Sequence, residues 1–361
     1  MTAFADWSDA NMPVGVTEVS REIFDLHMLI FWVCVWIGVV VFGIMFWSLW
    51  KYRKSKGAVA ADFDDNFWLE IGWTVAATLI LVVIAIPSTT VMVKAYDDAE
   101  GEINIMVTGS QWKWHYKYLE DDISFYSNLS TPQEQIDNKM PKGEFYLKEV
   151  DQPLVIPINK RIRFLITGND VIHSWWVPDF AVKQDAIPGF INTAWTNVPT
   201  PGIYRGNCTE LCGIKHAFMP VVVRAVEQDV YDAFIAERIL LAENEKMLTS
   251  KEWTAEELYE RGEGFYQTNC VACHQVNGQG IPPVFPALVD SQIVLNDAPR
   301  QIEILMEGVQ GAAMASYADY SEVDIAAVIT YTRQAWTNGE KGDGVIVTPQ
   351  DIVAYKNKIE L

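Results

Sequence analysis

Two long apolar runs limit what this chain can become. Residues Ile23 to Trp50 read IFDLHMLIFWVCVWIGVVVFGIMFWSLW, and Phe67 to Val93 read FWLEIGWTVAATLILVVIAIPSTTVMV. Each contains an uncharged stretch longer than the ~20 residues needed to cross a bilayer. Both are expected to be transmembrane helices, together forming a hairpin over 23–93. The connection begins KYRKSKG, so Lys51, Arg53, Lys54 and Lys56 follow the first span directly. By the positive-inside rule that loop is cytoplasmic and both termini lie outside. Trp47, Trp50, Trp68 and Trp73 fit the aromatic belts at the membrane interface. The opening segment, 1–22, is polar and acidic with no apolar leader core, and is expected on the exported side.

Composition agrees with that division. Half of the 361 residues are hydrophobic, yet the formal net charge is −20. Apolar residues concentrated in spans and acidic water-facing parts reconcile the two figures. The acidic balance repels phosphates and argues against nucleic acid; a basic protein or a cation is the natural ligand.

After Val93 the chain turns polar. Over 94–226, short alternating segments such as EINIMVTGSQWKWHYKY, PLVIPINKRIRFLITG and MPVVVRAV are separated by Gly, Pro and Asn, the pattern of an antiparallel β-sandwich. Residues 227–252 become charged and helical, as a linker helix would. From 253 to 339, helical patterns surround Gly/Pro loops. The tail, 340–361, is mixed and carries no signal of its own.

The densest chemistry lies in NCTELCGIKHAFMP, residues 207–220. Cys212, His216 and Met219, with a distant second histidine, are the ligand types of a mononuclear blue-copper site; thiolate with thioether favours copper over zinc. Cys208 is then surplus. A Cys208–Cys212 disulfide is the plain alternative in an oxidising compartment, but it leaves His216 and Met219 unexplained. Two thiolates from one loop can instead bridge two copper ions, each needing one imidazole and one weak axial ligand.

CTELCGIKHAFM resembles the binuclear copper A motif, C-x-E-x-C-x3-H-x2-M, of cytochrome c oxidase subunit II. The likeness extends to DVIHSWWVPDFAVKQDAIPG, to GSQWKWHYKY and to both spans, covering roughly residues 20 to 226. The resemblance implies a cupredoxin-like sandwich in which Cys208 and Cys212 bridge both coppers. His173 and Met219 would complete one copper; His216 and the Glu210 backbone carbonyl would complete the other. The Glu210 carboxylate would face a magnesium ion shared with subunit I. His115 and His27 have no such support and read as surface or interfacial residues.

In QWKWHYKY, Trp112, Trp114, Tyr116 and Tyr118 alternate with Lys113, His115 and Lys117, placing the aromatics on one strand face. Plain core packing accounts for at least two of the four. The resemblance makes Trp112 the point where electrons reach copper A. Where the family often has a second aromatic, this chain has Lys113.

CVACH, with Cys270, Cys273 and His274, is the attachment signature of a covalent haem c: two thioether links and a proximal imidazole. A bare C-x-x-C could be redox-active or bind zinc; the following histidine favours haem. For the sixth ligand Met306 and Met314 compete. Met306 shares a helical face with Ile302 and Leu305, so it reads as core, whereas Met314 lies in the Gly-flanked loop GVQGAAMASYADYS and is preferred. Ser321 and Asp324 would cap the next helix. The segment is similar to class I cytochrome c. Cys34, within the first span, reads as a small apolar residue.

Glu70, in FWLEIGWT, is ionisable at a span end, where a carboxylate can either reach water or serve function. In subunit II an equivalent glutamate lies at the mouth of a proton pathway into subunit I, so the resemblance favours that role. Taken together, the expectation is a two-helix hairpin, an all-β cupredoxin-like copper A domain and an all-α class I cytochrome c domain, resembling caa3-type oxidases of the bacterial inner membrane. The implied partners are subunit I and further oxidase subunits, with a donor such as a cytochrome c or the bc1 complex. Electrons would run from haem c to copper A and then to haem a of subunit I, for oxygen reduction coupled to proton translocation. A copper-A nitric oxide reductase subunit, or a membrane-tethered carrier without a catalytic partner, are the alternatives; a quinol oxidase subunit would lack the copper ligands.

Overall fold

The computed structural model describes residues 10–59, 62, 64–309, 314, 316–318 and 320–359. Helix α1 runs Glu18–Lys51 and α2 runs Phe67–Ala95, both long and apolar enough to cross a membrane. α1 starts ahead of its apolar run because Thr17 caps it: the Thr17 hydroxyl accepts from the Ser20 N–H while Ser20 bonds back to the Thr17 N–H. The Asn66 side chain caps α2 in the same manner. At the exported end, Lys94 pairs with Glu18 and Glu22, each at 2.6 Å, fastening the hairpin. Along the hairpin, large apolar side chains such as Trp36, Phe46 and Leu81 stay exposed, the surface that lipid or a partner subunit covers.

Ten strands follow among the described residues: β1 Ile103–Ser110, β2 Lys113–Tyr118, β3 Ile123–Ser127, β4 Leu154–Pro157, β5 Ile162–Gly168, β6 His173–Val177, β7 Val182–Ala186, β8 Asn192–Thr196, β9 Gly202–Cys208 and β10 Pro220–Val226. They form two five-stranded sheets, ordered β3-β2-β1-β5-β8 and β4-β10-β9-β6-β7. The expected sandwich is present, but it is not wholly antiparallel. β1 pairs parallel with β5, and β4 with β10, because the intervening chain crosses over instead of turning back. Period-two alternation is the same in either direction, so the pattern could not tell them apart.

The core between the sheets includes Ile105, Val107, Trp114, Tyr116, Leu154, Phe164, Trp175 and Val223, each fully buried. Burying one such aliphatic or phenyl side chain contributes about 1.5–3 kcal/mol. Hydrogen bonds tie the sandwich to the hairpin: Val16 N–H to the Asp179 carbonyl, the Thr17 hydroxyl to the Phe180 carbonyl, and the Trp195 indole to the Lys94 carbonyl.

Helix α3, Gln228–Ser250, spans the expected linker, but it is packed rather than free. Tyr231 and Ile235 bury into the sandwich core, and Glu245 pairs with Arg261 at 2.6 Å on the other side. Helices α4 Ala255–Asn269, α5 Ala298–Glu307 and α6 Glu322–Gln334 build the all-α part. Ser321 caps α6 by accepting from the Asp324 N–H, as its spacing predicts. The stretch that reads as a tail holds a further helix, α7 Pro349–Ile359, with Val347 and Ile352 buried against α6. Its apolar residues are too few for periodicity to stand out; only the neighbouring helix reveals which face they make.

Candidate copper and haem centres

The residues singled out in the 207–220 motif converge. Cys208 ends β9, Met219 immediately precedes β10, and the intervening loop is closed by the Cys208 N–H to the Met219 carbonyl at 3.0 Å. The Thr209 N–H donates to the Ser174 carbonyl at 3.0 Å, bringing in β6, whose first residue is His173. The sulfurs of Cys208 and Cys212 stand 3.8 Å apart, within hydrogen-bond reach and not joined in a disulfide. His173 Nδ1 lies 4.0 Å from Cys208 Sγ, and His216 Nδ1 lies 3.6 Å from Cys212 Sγ. The Glu210 carbonyl is 3.4 Å from Cys208 Sγ, while Glu210 itself is exposed. Cys208, Cys212, His173 and Met219 are all buried. Two thiols, an imidazole on either side and a neighbouring thioether are a soft donor set suited to copper.

The electrostatics prepare the site for a cation. The hydrogen bond shared by the two thiols makes their titrations interdependent: it lowers one, Cys208, and, with burial, raises the other, Cys212. Copper is ligated by thiolates, so metal binding would release the protons that the pair holds. Burial pulls His173 down, but Asp170 and Cys208 outweigh it and leave the imidazole raised.

Asp170 is a residue that sequence reasoning missed. Its Oδ1 accepts from His173 Nε2 at 2.8 Å, which leaves Nδ1 aimed at Cys208, the arrangement that fixes ring and tautomer at metal sites. Its Oδ2 accepts from the Gln111 N–H at 2.7 Å. The Gln111 side chain and the Trp112 indole both donate to the Cys212 carbonyl, at 2.6 and 3.2 Å. A carboxylate three residues before a candidate ligand was the available signal. Two glycines give these groups room. A Cβ at Gly109 would come within 2.9 Å of the His173 ring; one at Gly213, where φ is +120°, would meet Gln111 and Trp112 at about 3 Å.

Trp112 lies in the β1–β2 turn, half-buried, because Ser110 and Lys113 close the hairpin around Gln111 and Trp112. Trp114, Tyr116 and Tyr118 are core, three of the four alternating aromatics. His115 is buried beside Tyr126, ring centres 4.6 Å apart, and His27 Nε2 lies 2.9 Å from the Asn11 side chain. Glu70 sits exposed in the first turn of α2.

In the α-helical part, Cys270 follows α4 directly and Cys273 and His274 complete one further turn. His274 Nδ1 lies 3.0 Å from the Pro286 carbonyl. A carbonyl only accepts, so Nδ1 carries the proton and Nε2 keeps its lone pair. Burial pulls His274 down, outweighing the upward pull of that bond, and so favours the neutral imidazole that ligates iron. Met306 is core and Met314 half-buried against the same helices. Gln310–Ala313, Ala315 and Asp319 of the Met314 loop, like residues 1–9 and 360–361, lie outside the described residues.

Fold and site together define a membrane-anchored cupredoxin-like subunit carrying a fused cytochrome c domain. Residues 103–226 match the family "Cytochrome C oxidase subunit II, periplasmic domain", 5–91 its transmembrane domain, and 250–331 "Cytochrome C oxidase, cbb3-type, subunit III". The chain is 37% identical over 229 residues to a probable cytochrome c oxidase subunit 2 of Rickettsia bellii, covering 63% of this chain and 83% of the relative. It is 36% identical over 234 residues to cytochrome c oxidase subunit 2 of Cereibacter sphaeroides, covering 61% and 77%. The crystal structure of the periplasmic domain of a Bradyrhizobium japonicum cytochrome oxidase subunit II is 38% identical, with a TM-score of 0.34, covering 39% of this chain and 95% of that one. The chain belongs to the cytochrome c oxidase subunit II family, with a C-terminal cytochrome c fusion. The family implies copper A in the sandwich, haem c in the fused domain and a haem-copper oxidase subunit I as partner.

Proposed function

We propose that this chain is the electron-input subunit of a respiratory haem-copper oxidase in a bacterial inner membrane, serving oxygen reduction and proton translocation in subunit I. When bound, haem c and copper A supply one-electron redox centres, the first toward an external donor and the second toward haem a of subunit I. Cys208 and Cys212 would bridge two coppers, His173 with Met219 and His216 with the Glu210 carbonyl completing them. The observation that carries this reading is the thiol pair 3.8 Å apart with an imidazole on either side. Strands β6, β9 and β10 of one sheet and the β1–β2 turn of the other hold those donors, with Cys208, Cys212, His173 and Met219 buried, so little rearrangement accompanies a change of charge. Cys270 and Cys273 would hold haem c covalently, with His274 and Met314 as the ligands to its iron.

Trp112, bonded to the Cys212 carbonyl, is assigned the role of bringing electrons to the copper site. The exposed Glu210 carboxylate is assigned to a magnesium ion shared with subunit I, and Glu70, on the cytoplasmic side of α2, to the mouth of a proton pathway. The acidic surface favours a basic donor, such as a cytochrome c, whose association weakens with salt. Metal and haem analysis with copper EPR tests the reading on the purified full-length complex. Two coppers with a delocalised signal and one covalent haem per chain are expected; a single copper or a Cys208–Cys212 disulfide would refute it.

A further inference from the structure

Lys113 is 9% exposed although it carries an ammonium group on the outer side of β2. What covers it is the haem-bearing domain. Its Nζ lies 2.9 Å from the Tyr320 hydroxyl and 3.4 Å from the Asn269 side-chain oxygen. It also lies 4.4 to 4.8 Å from the ring centres of Tyr126, Tyr317 and Tyr320. Tyr126 of β3 and Tyr320 stack face to face across the same seam, 4.0 Å apart with planes 8° from parallel. Behind it, Tyr320 donates to the Asn269 side chain at 2.7 Å and Tyr317 to the Asn269 carbonyl at 3.2 Å. Asn269 is the residue before Cys270, and Lys113 the residue after Trp112, whose indole bonds the Cys212 carbonyl.

We propose that Lys113 is a positioning residue that latches the haem domain in one fixed dock over the copper domain, holding the Cys270 attachment turn against the Trp112 turn. A buried ammonium is costly unless its donors and charge are met. Burial pushes Lys113 down to about 8, and across the seam its ammonium meets the Tyr320 hydroxyl, the Asn269 side-chain oxygen and the ring faces of Tyr317 and Tyr320. Undocking would strip those partners away, so the contact favours one arrangement over a swinging domain. This inference rests on the haem c and copper A reading above, because it assigns how those two centres are held together.

The test uses the full-length complex in a Cys34→Ala background. Nitroxide labels go at the exposed positions Glu134 of the copper domain and Gln292 of the haem domain. A single narrow interdomain distance is expected for the parent protein, a broad distribution for Lys113→Met, and a return toward the narrow one for Lys113→Arg. Tyr320→Phe, which keeps the stacked ring but loses the hydroxyl, should broaden it less and serves if Lys113→Met does not assemble. Losing charge-assisted bonds of this kind should lower the docked-to-undocked ratio about tenfold or more. Electron transfer between haem c and copper A in Lys113→Met should therefore slow and become dependent on solvent viscosity. Distances and rates unchanged in both Lys113→Met and Tyr320→Phe, or a broad distribution already in the parent, would overturn the latch. An absent haem c or two-copper signal in the parent would instead sink the functional reading beneath it.

Discussion

The haem attachment turn and the copper site carry comparable chemistry but are assembled in opposite ways. Cys270, Cys273 and His274 come from one helical turn, and the Pro286 carbonyl, twelve residues on, fixes the imidazole. The copper donors come from β6, the end of β9 and the loop before β10, and their supports, Asp170, Gln111 and Trp112, from two further connections. A contiguous motif keeps its geometry as long as its own turn forms. A distributed site depends on strand register, where a slip of one residue sends every side chain to the other face.

The largest effect should separate the two centres outright. Cys212→Ser is expected to abolish the two-copper EPR signal and oxidase turnover while haem c remains covalently attached, as read by haem-stained gels. Loss of both cofactors together would mean that the domains do not fold separately. Next, Ile352→Ala should destabilise the haem domain by about 2–5 kcal/mol, because it empties a fully buried position in α7. Denaturant unfolding followed at the haem band should show this with the copper spectrum unmoved; no change would restore the reading of 340–361 as a loose tail. Asp170→Asn removes one of two acceptors that hold Gln111 and His173, and copper affinity should fall roughly 10–100-fold in competition with a chelator. Haem attachment should not respond. The smallest effect concerns neither centre. Glu70→Gln should slow steady-state oxygen consumption but leave copper A reduction in stopped flow as fast as in the parent, and unchanged turnover would remove Glu70 from the proton pathway.

The aromatic strand shows where sequence reading stops. Period two placed Trp114, Tyr116 and Tyr118 on one face, and that face is core. The same alternation put Lys113 and His115 on the opposite face, where polar residues ordinarily meet water. Both are buried there, because a second domain sits on that side. Alternation reports which side chains share a face but not what will cover it.

Chain-local signals settled the two spans, the fold class, and the residue types grouped at 208–219 and 270–274, because helix length, periodicity and ligand spacing are properties of short segments. Tertiary structure alone decided the two parallel strand pairs, the Asp170 support, the place of α7 in the core and the burial of Lys113. Each of those depends on which segments meet across a distance in the chain, and nothing within a short window encodes the neighbour it will find.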